Sequence, residues 1–153
     1  MGKIKTLSAL KKIVNKLKKQ NKHIVFTNGC FDILHPGHIK VLKEAKENGD
    51  ILIVGLNSDS SIRKIKGKQG RPILDEKARM QILEAIEVVS YIVLFHELTP
   101  YNLIKAIRPD CLVKGEDWGK NKIVGSNLVD IIHRVKIYPK YSTSRIIDKI
   151  KHA

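Results

Sequence analysis

Cysteine is scarce. Cys30 and Cys111 are the only two in 153 residues, and they form no C-x-x-C pair. Two isolated thiols suit a reducing cytosol, where the protein is expected. Long apolar runs are also missing. The longest, such as residues 51–56, fall far short of the roughly 20 residues of a membrane span. The lysine-rich N-terminus has no apolar core segment, so no secretory leader is expected. Acids are the minority charge: 15 Asp and Glu face 29 Lys and Arg, a formal net charge of +14. Such a surface attracts nucleic acid, acidic membranes or phosphorylated metabolites, and it is equally a plain solvated lysine surface. Aromatics make up 5% of the chain. They do not interleave with basic residues as in single-strand binders. No linker, repeat or low-complexity segment interrupts residues 1–153. The length suggests one domain that can bury a core without disulfides or structural metal.

What is present alternates. Leu7, Leu10, Ile13, Val14 and Leu17 lie at helical spacing with lysines opposite, so residues 1–20 are expected to carry an amphipathic helix packed on the domain. Residues 23–28 (HIVFTN) read as a strand ended by Gly29. Pro36 and Gly37 open a second helix, which Gly49 stops. Residues 50–57 (DILIVGLN) are almost continuously apolar, the pattern of a parallel strand buried on both faces. Residues 58–72 read as a mobile basic loop with room for one helical turn. A helix over 75–86, a strand over 91–95, a helix from N-cap Thr99 and Pro100 to Ile107, and strands over 110–114 and 134–138 follow. Residues 142–150 form the last helix. Strands alternating with helices predict an α/β fold, a Rossmann-like, doubly wound, parallel five-stranded sheet with right-handed crossovers.

In such a sheet, ligands sit beyond the carboxyl ends of the strands. The loop after the first strand reads TNGCFDILHPGH (residues 27–38). Gly29 is expected to allow a tight turn, and Gly37 to let a phosphate approach backbone N–H groups. His35 and His38 flank a helix start that favours anions, and two imidazoles there can donate to phosphate oxygens. Zinc would need a third and fourth ligand, and only Cys30 is near in sequence. Lys64 and Lys66 sit where ammonium groups can close over a triphosphate, or are ordinary surface lysines. Arg71 and Arg79 pair either with phosphates or with Asp75 and Glu76. Ser142 and Thr143 offer hydroxyls and free N–H groups at a helix start, or a plain N-cap. Lys114, Asp117 and Trp118 follow a strand end. There Asp117 can bind sugar hydroxyls, and Trp118 can stack on a substrate or pack in the core.

The stretches FTNGCFDILHPGH, VGLNSDSSIRKIKG, GRPI, TPYNLIKAIRPDCLVKGEDW, IVGS and YSTSRII, in that order, resemble the cytidylyltransferase-like nucleotidyltransferases with their H-x-G-H element. The resemblance covers residues 24–150 and is strongest to adenylyltransferases that make ADP-heptose from D-glycero-β-D-manno-heptose 1-phosphate. It implies His35, His38 and Lys66 as catalytic residues. It implies nucleotide contacts from Asn28, Gly29, Cys30, Phe31, Gly37, Lys64, Arg79, Ser142 and Thr143. Asp32, Lys114, Asp117 and Trp118 would meet the acceptor. One departure stands out. The heptose enzymes usually read KGGDY where this chain reads KGEDW, an acidic pair and Trp as in glycerol-3-phosphate cytidylyltransferases.

The resemblance thus implies adenylyl transfer from ATP to a phosphorylated sugar. Magnesium is expected with the ATP, its protein ligands unassigned. The partners expected are these small molecules, with no specific nucleic acid and no membrane; a homodimer is left open. A cytidylyltransferase acting on glycerol 3-phosphate or a similar polyol phosphate is the second reading. A basic nucleic-acid-binding module is the third. The H-x-G-H helix start also occurs in class I aminoacyl-tRNA synthetases, but this chain is too short to add an anticodon-binding domain.

Overall fold

The computed structural model describes residues 2–67, 70–116 and 123–153. Along the chain run α1 (Leu7–Lys19), β1 (Ile24–Gly29), α2 (Pro36–Glu47), β2 (Ile51–Asn57), α3 (Asp59–Lys66), α4 (Glu76–Glu84), β3 (Tyr91–Phe95), α5 (Tyr101–Ile107), β4 (Cys111–Gly115), β5 (Ile131–Val135) and α6 (Thr143–Lys151). A short 3₁₀ turn, Ser126–Leu128, precedes β5. Polar caps set most helix starts. Thr6, Ser58, Asp75 and Ser142 each accept a hydrogen bond from the backbone N–H three residues on, at 3.2, 3.1, 2.9 and 3.0 Å. Each satisfies a donor the helix cannot pair itself.

The five strands are parallel in the order β3-β2-β1-β4-β5. Side chains alternate across them, and both faces are covered. Val25, Leu52, Val54, Leu56 and Val113 join Leu42 and Ala45 of α2 and Leu83 of α4. Ile24, Phe26, Ile53 and Leu112 join Leu10 and Val14 of α1 and Leu103, Ile104 and Ile107 of α5. This two-sided burial explains the apolar run of β2. At the β3 edge, Ile4 bridges Ile92, which lays residues before α1 along that edge. The chain winds outward from β1 to β3, then returns to place β4 beside β1. The resulting switch point between β1 and β4 is where such sheets bind ligands.

Three boundaries differ from the sequence reading. Residues 59–66 form two turns of helix where a basic loop was expected, because Ser58 caps them and Ile62 is fully buried. Helix α5 begins one residue later than expected, with Pro100 at its N-cap and no side-chain cap. The last strand lies three residues earlier than residues 134–138. Its register against β4, from Cys111↔Ile131 to Gly115↔Val135, decides this. As an edge strand with Ile131 and Ile132 exposed, it lacks a clean buried pattern.

Candidate active site

The loop between β1 and α2 turns without a left-handed glycine. Phe31 and Ile33 take positive φ, 50° and 55°. Side-chain-bearing residues hold that conformation only where surroundings enforce it. Asp32, between them, supplies the enforcement. Its Oδ2 accepts from Arg71 Nε at 3.1 Å and from Ile73 N at 2.7 Å, and its Oδ1 from Leu74 N at 2.9 Å. Its carbonyl accepts from Thr143 Oγ1 at 2.6 Å. One buried residue thus joins the β1–α2 loop, the segment before α4 and the start of α6. Gly29 serves close packing instead of the turn: a Cβ there would lie 3.1 Å from the Phe31 ring.

His35 and His38 cap α2 reciprocally. Gly37 N donates to His35 Nδ1 at 3.0 Å, and His35 N donates to His38 Nδ1 at 3.2 Å. An Nδ1 that accepts a backbone N–H carries no proton, so each neutral ring bears its proton on Nε2. The ring centroids are 3.9 Å apart. Burial, and then the neighbouring His35, push His38 down to about 4 although Asp32 pulls the other way. Burial lowers His35 too. Both are therefore neutral near pH 7 and offer Nε2–H as donors at a helix start that already favours anions. Gly37 is required for a reason other than phosphate approach. Its N–H is engaged by His35, and a Cβ would lie 2.8 Å from the His35 ring.

A cleft of about 540 Å³ opens over this helix start, within the usual range for a small-molecule site. It is lined by Asn28, Gly29, Cys30, Phe31, Asp32, His35, Gly37, His38, Lys66, Lys114, Ser142 and Thr143 among the expected residues. Lys114 Nζ donates to the Asn28 carbonyl at 2.9 Å, straddling the switch point between β1 and β4. Thr143 Oγ1 donates its proton to the Asp32 carbonyl, whereas Ser142 Oγ accepts from Arg145 N and keeps its own O–H, which with the remaining first-turn N–H groups of α6 suits an anion. Burial raises the Cys30 thiol, against the opposing charges of Lys66, Arg79, Arg71 and Lys114.

Several expectations are corrected. Arg79 is fully buried and does not line the cleft. Its Nε donates to Leu74 O, its Nη1 to Cys30 O and Asn57 O at 2.8 and 2.7 Å, and its Nη2 to Asp59 Oδ1 at 2.8 Å. It braces backbone away from the cleft lining, and its ionic partner is Asp59, not Asp75 or Glu76. Lys64 is exposed and outside the cleft, because helix α3 turns it away from Lys66. The Asp32 carboxylate accepts from Arg71 and two N–H groups and its side chain is fully buried, so it is not presented to an acceptor hydroxyl. Asp117 and Trp118 lie outside the described residues. Sequence reasoning missed Tyr138, Tyr141, Leu98 and Val124 on the cleft wall. Tyr141 lies nearly parallel to His35, centroids 6.5 Å apart, and Lys40 Nζ sits 4.5 Å over the Tyr138 ring. Their signal was faint: two tyrosines just before a serine-capped helix.

No group of three His, Cys, Asp or Glu suited to a metal occurs among the described residues. Asp32 is the sole acid among those lining the cleft, and it is occupied. The described residues thus bring no carboxylate cage to this cleft.

Comparison with known proteins follows the same geometry. A sequence model described as cytidylyltransferase-like matches residues 26–149. The bifunctional protein HldE of Aliarcobacter butzleri is 49% identical over 148 residues, 97% of this chain and 31% of that protein. This chain therefore spans about a third of the length of the curated relatives it matches. The crystal structure of the lipopolysaccharide core biosynthesis protein from Thermoplasma volcanium is 32% identical, covers 76% of this chain and 98% of its own, and has a TM-score of 0.67. Pantoate-beta-alanine ligase from Francisella tularensis, complexed with beta-gamma ATP and beta-alanine, shares the fold at 18% identity and a TM-score of 0.65. It covers 100% of this chain and 79% of its own.

Proposed function

The chain belongs to the cytidylyltransferase-like family, and from that premise we propose that it transfers an adenylyl group from ATP to D-glycero-β-D-manno-heptose 1-phosphate, releasing pyrophosphate. The observation that carries the chemistry is the reciprocal histidine cap. It holds two neutral imidazoles with Nε2–H donors at a helix start beneath the cleft.

The acceptor is a phosphate monoester whose second pKa is about 6, so its attacking oxygen is ionised at neutral pH and no general base is required. Catalysis then lies in positioning and in donors aimed at charge on the α-phosphate. His35 and His38 donate there without titrating, and the Lys66 ammonium adds positive charge. Attack is in line, and pyrophosphate leaves toward the first turn of α6 at Ser142 and Thr143. Magnesium, if bound with the ATP, would neutralise phosphate charge.

The acceptor assignment rests on residues 99–115 and 121–126, which resemble the heptose enzymes. The printed name of the Thermoplasma volcanium structure, lipopolysaccharide core biosynthesis protein, supports the same use of the product. The work is proposed to take place in the cytosol. Glu116, Asp117 and Trp118 favour the second reading, CTP with glycerol 3-phosphate. The deciding test is kcat/KM for heptose 1-phosphate with ATP against glycerol 3-phosphate with CTP, on one preparation. The first pair should win by a wide margin. Victory for the second pair replaces the acceptor and leaves nucleotidyl transfer standing.

A further inference from the structure

Arg71, like Lys114, is a cleft cation to which the mechanism above gives no role. Its side chain is only 8% exposed, and its Nε donates to Asp32 Oδ2 at 3.1 Å. Neither Nη has a partner among the described residues. No fully buried side-chain nitrogen among them lacks one, so both Nη keep surface open to the cleft that Arg71 lines. A guanidinium carries five N–H donors in a rigid fork. One is anchored here, and the four on the two Nη have no protein partner among the described residues.

The anchor is itself immobile. Asp32 is also held by Ile73 N, Leu74 N and, through its carbonyl, Thr143 Oγ1. The fork is therefore pre-aimed, and little side-chain freedom is left to lose on binding. The charges of Lys66, Arg71 and Lys114 converge near Cys30, while the one acid among the described residues lining the cleft is already paired. That excess of positive charge fits a ligand bearing several negative oxygens in planar pairs, as phosphate does.

We propose that Arg71 is a substrate-phosphate clamp, with Asp32 holding its Nε and its two Nη gripping phosphate oxygens of a ligand in the cleft. The inference rests on the nucleotidyl-transfer reading and deepens it. Both the outer phosphates of the nucleotide and the acceptor's monoester present that chemistry.

Binding of ATP, inorganic pyrophosphate, a sugar 1-phosphate and adenosine is measured for the wild type, Arg71→Lys and Arg71→Gln, with the thermal midpoint of each. Both variants should weaken at least one phosphate ligand tenfold or more and leave adenosine within twofold. Loss for ATP and pyrophosphate places the clamp on the nucleotide; loss for the sugar phosphate alone places it on the acceptor. An equal loss for adenosine, or no loss for any ligand, overturns the proposal. A second measurement needs no variant. Phenylglyoxal labelling of Arg71 in the wild-type chain, read by peptide mass, should be blocked by pyrophosphate or sugar phosphate and not by adenosine. Unblocked labelling at saturation also overturns it. If the wild type releases no pyrophosphate from ATP with any sugar phosphate, the reaction proposed above fails, and these binding arms still decide Arg71.

Discussion

Two polar clusters lie close together in this fold and behave oppositely. Around Arg79, every donor group turns inward: Leu74, Cys30 and Asn57 offer carbonyls, Asp59 offers a carboxylate, and the guanidinium is sealed. At the start of α2, each histidine uses one nitrogen to cap the helix and has the other over. The first cluster holds β1, β2 and α4 in place. The second is braced in the same manner yet retains a donor for a ligand. Residue type and burial do not separate support from chemistry here; what separates them is whether a polar atom is left over once the protein's own hydrogen bonds are made.

The largest effect should come from the sealed cluster. Arg79→Met leaves Asp59 and three carbonyls without their partner, and breaking a buried pair costs about 3–5 kcal/mol. Chemical denaturation should show that loss, while protein still folded in the cold binds ATP with unchanged affinity. A large change in ATP affinity at full folding would put Arg79 back among the ligand contacts.

His38→Ala should do the reverse. Removing one donor aimed at a developing charge costs about 2.7–4 kcal/mol in the barrier. Single-turnover rates should fall a hundredfold or more. The lost half of the cap costs stability only about 1 kcal/mol. A rate near that of the wild type would end the assignment of His38 as a catalytic donor.

A smaller effect follows from charge. His38 is pushed from 6.5 to about 4 in the folded chain, so between those pH values the unfolded chain binds more protons at this site. Stability should therefore fall as pH drops from 6.5 toward 4, by on the order of 1–2 kcal/mol for this partly exposed group. His38→Gln should flatten that part of the slope. Equal slopes in variant and wild type would contradict a neutral, half-buried imidazole.

The smallest effect is expected at Lys64. Exposed and outside the cleft, it should tolerate Lys64→Ala with kcat/KM within about twofold and stability within about 0.5 kcal/mol. Lys66→Ala beside it should lower kcat/KM at least tenfold. Matching behaviour of the two lysines would show that helix α3 does not discriminate between them.

The helix-start histidines were legible because their partners are local: His35, Gly37 and His38 lie within one helical turn, and a motif can record what a turn contains. The alternation of apolar strands with capped helices was legible for the same reason, since burial on two faces demands continuous apolar runs and each cap acts over three residues. The fate of the arginines was not. Arg71 and Arg79 sit in one short polar stretch, and both face nearby acids in sequence. Apart from Leu74, their actual partners, Asp32, Cys30, Asn57 and Asp59, come from segments distant in sequence. The chain by itself determined an α/β nucleotide-type fold and a helix start flanked by two histidines. Only tertiary structure decided which cation is enclosed by carbonyls and which keeps an open fork, because that depends on how many acceptors distant loops bring to each guanidinium, and no local pattern encodes that number.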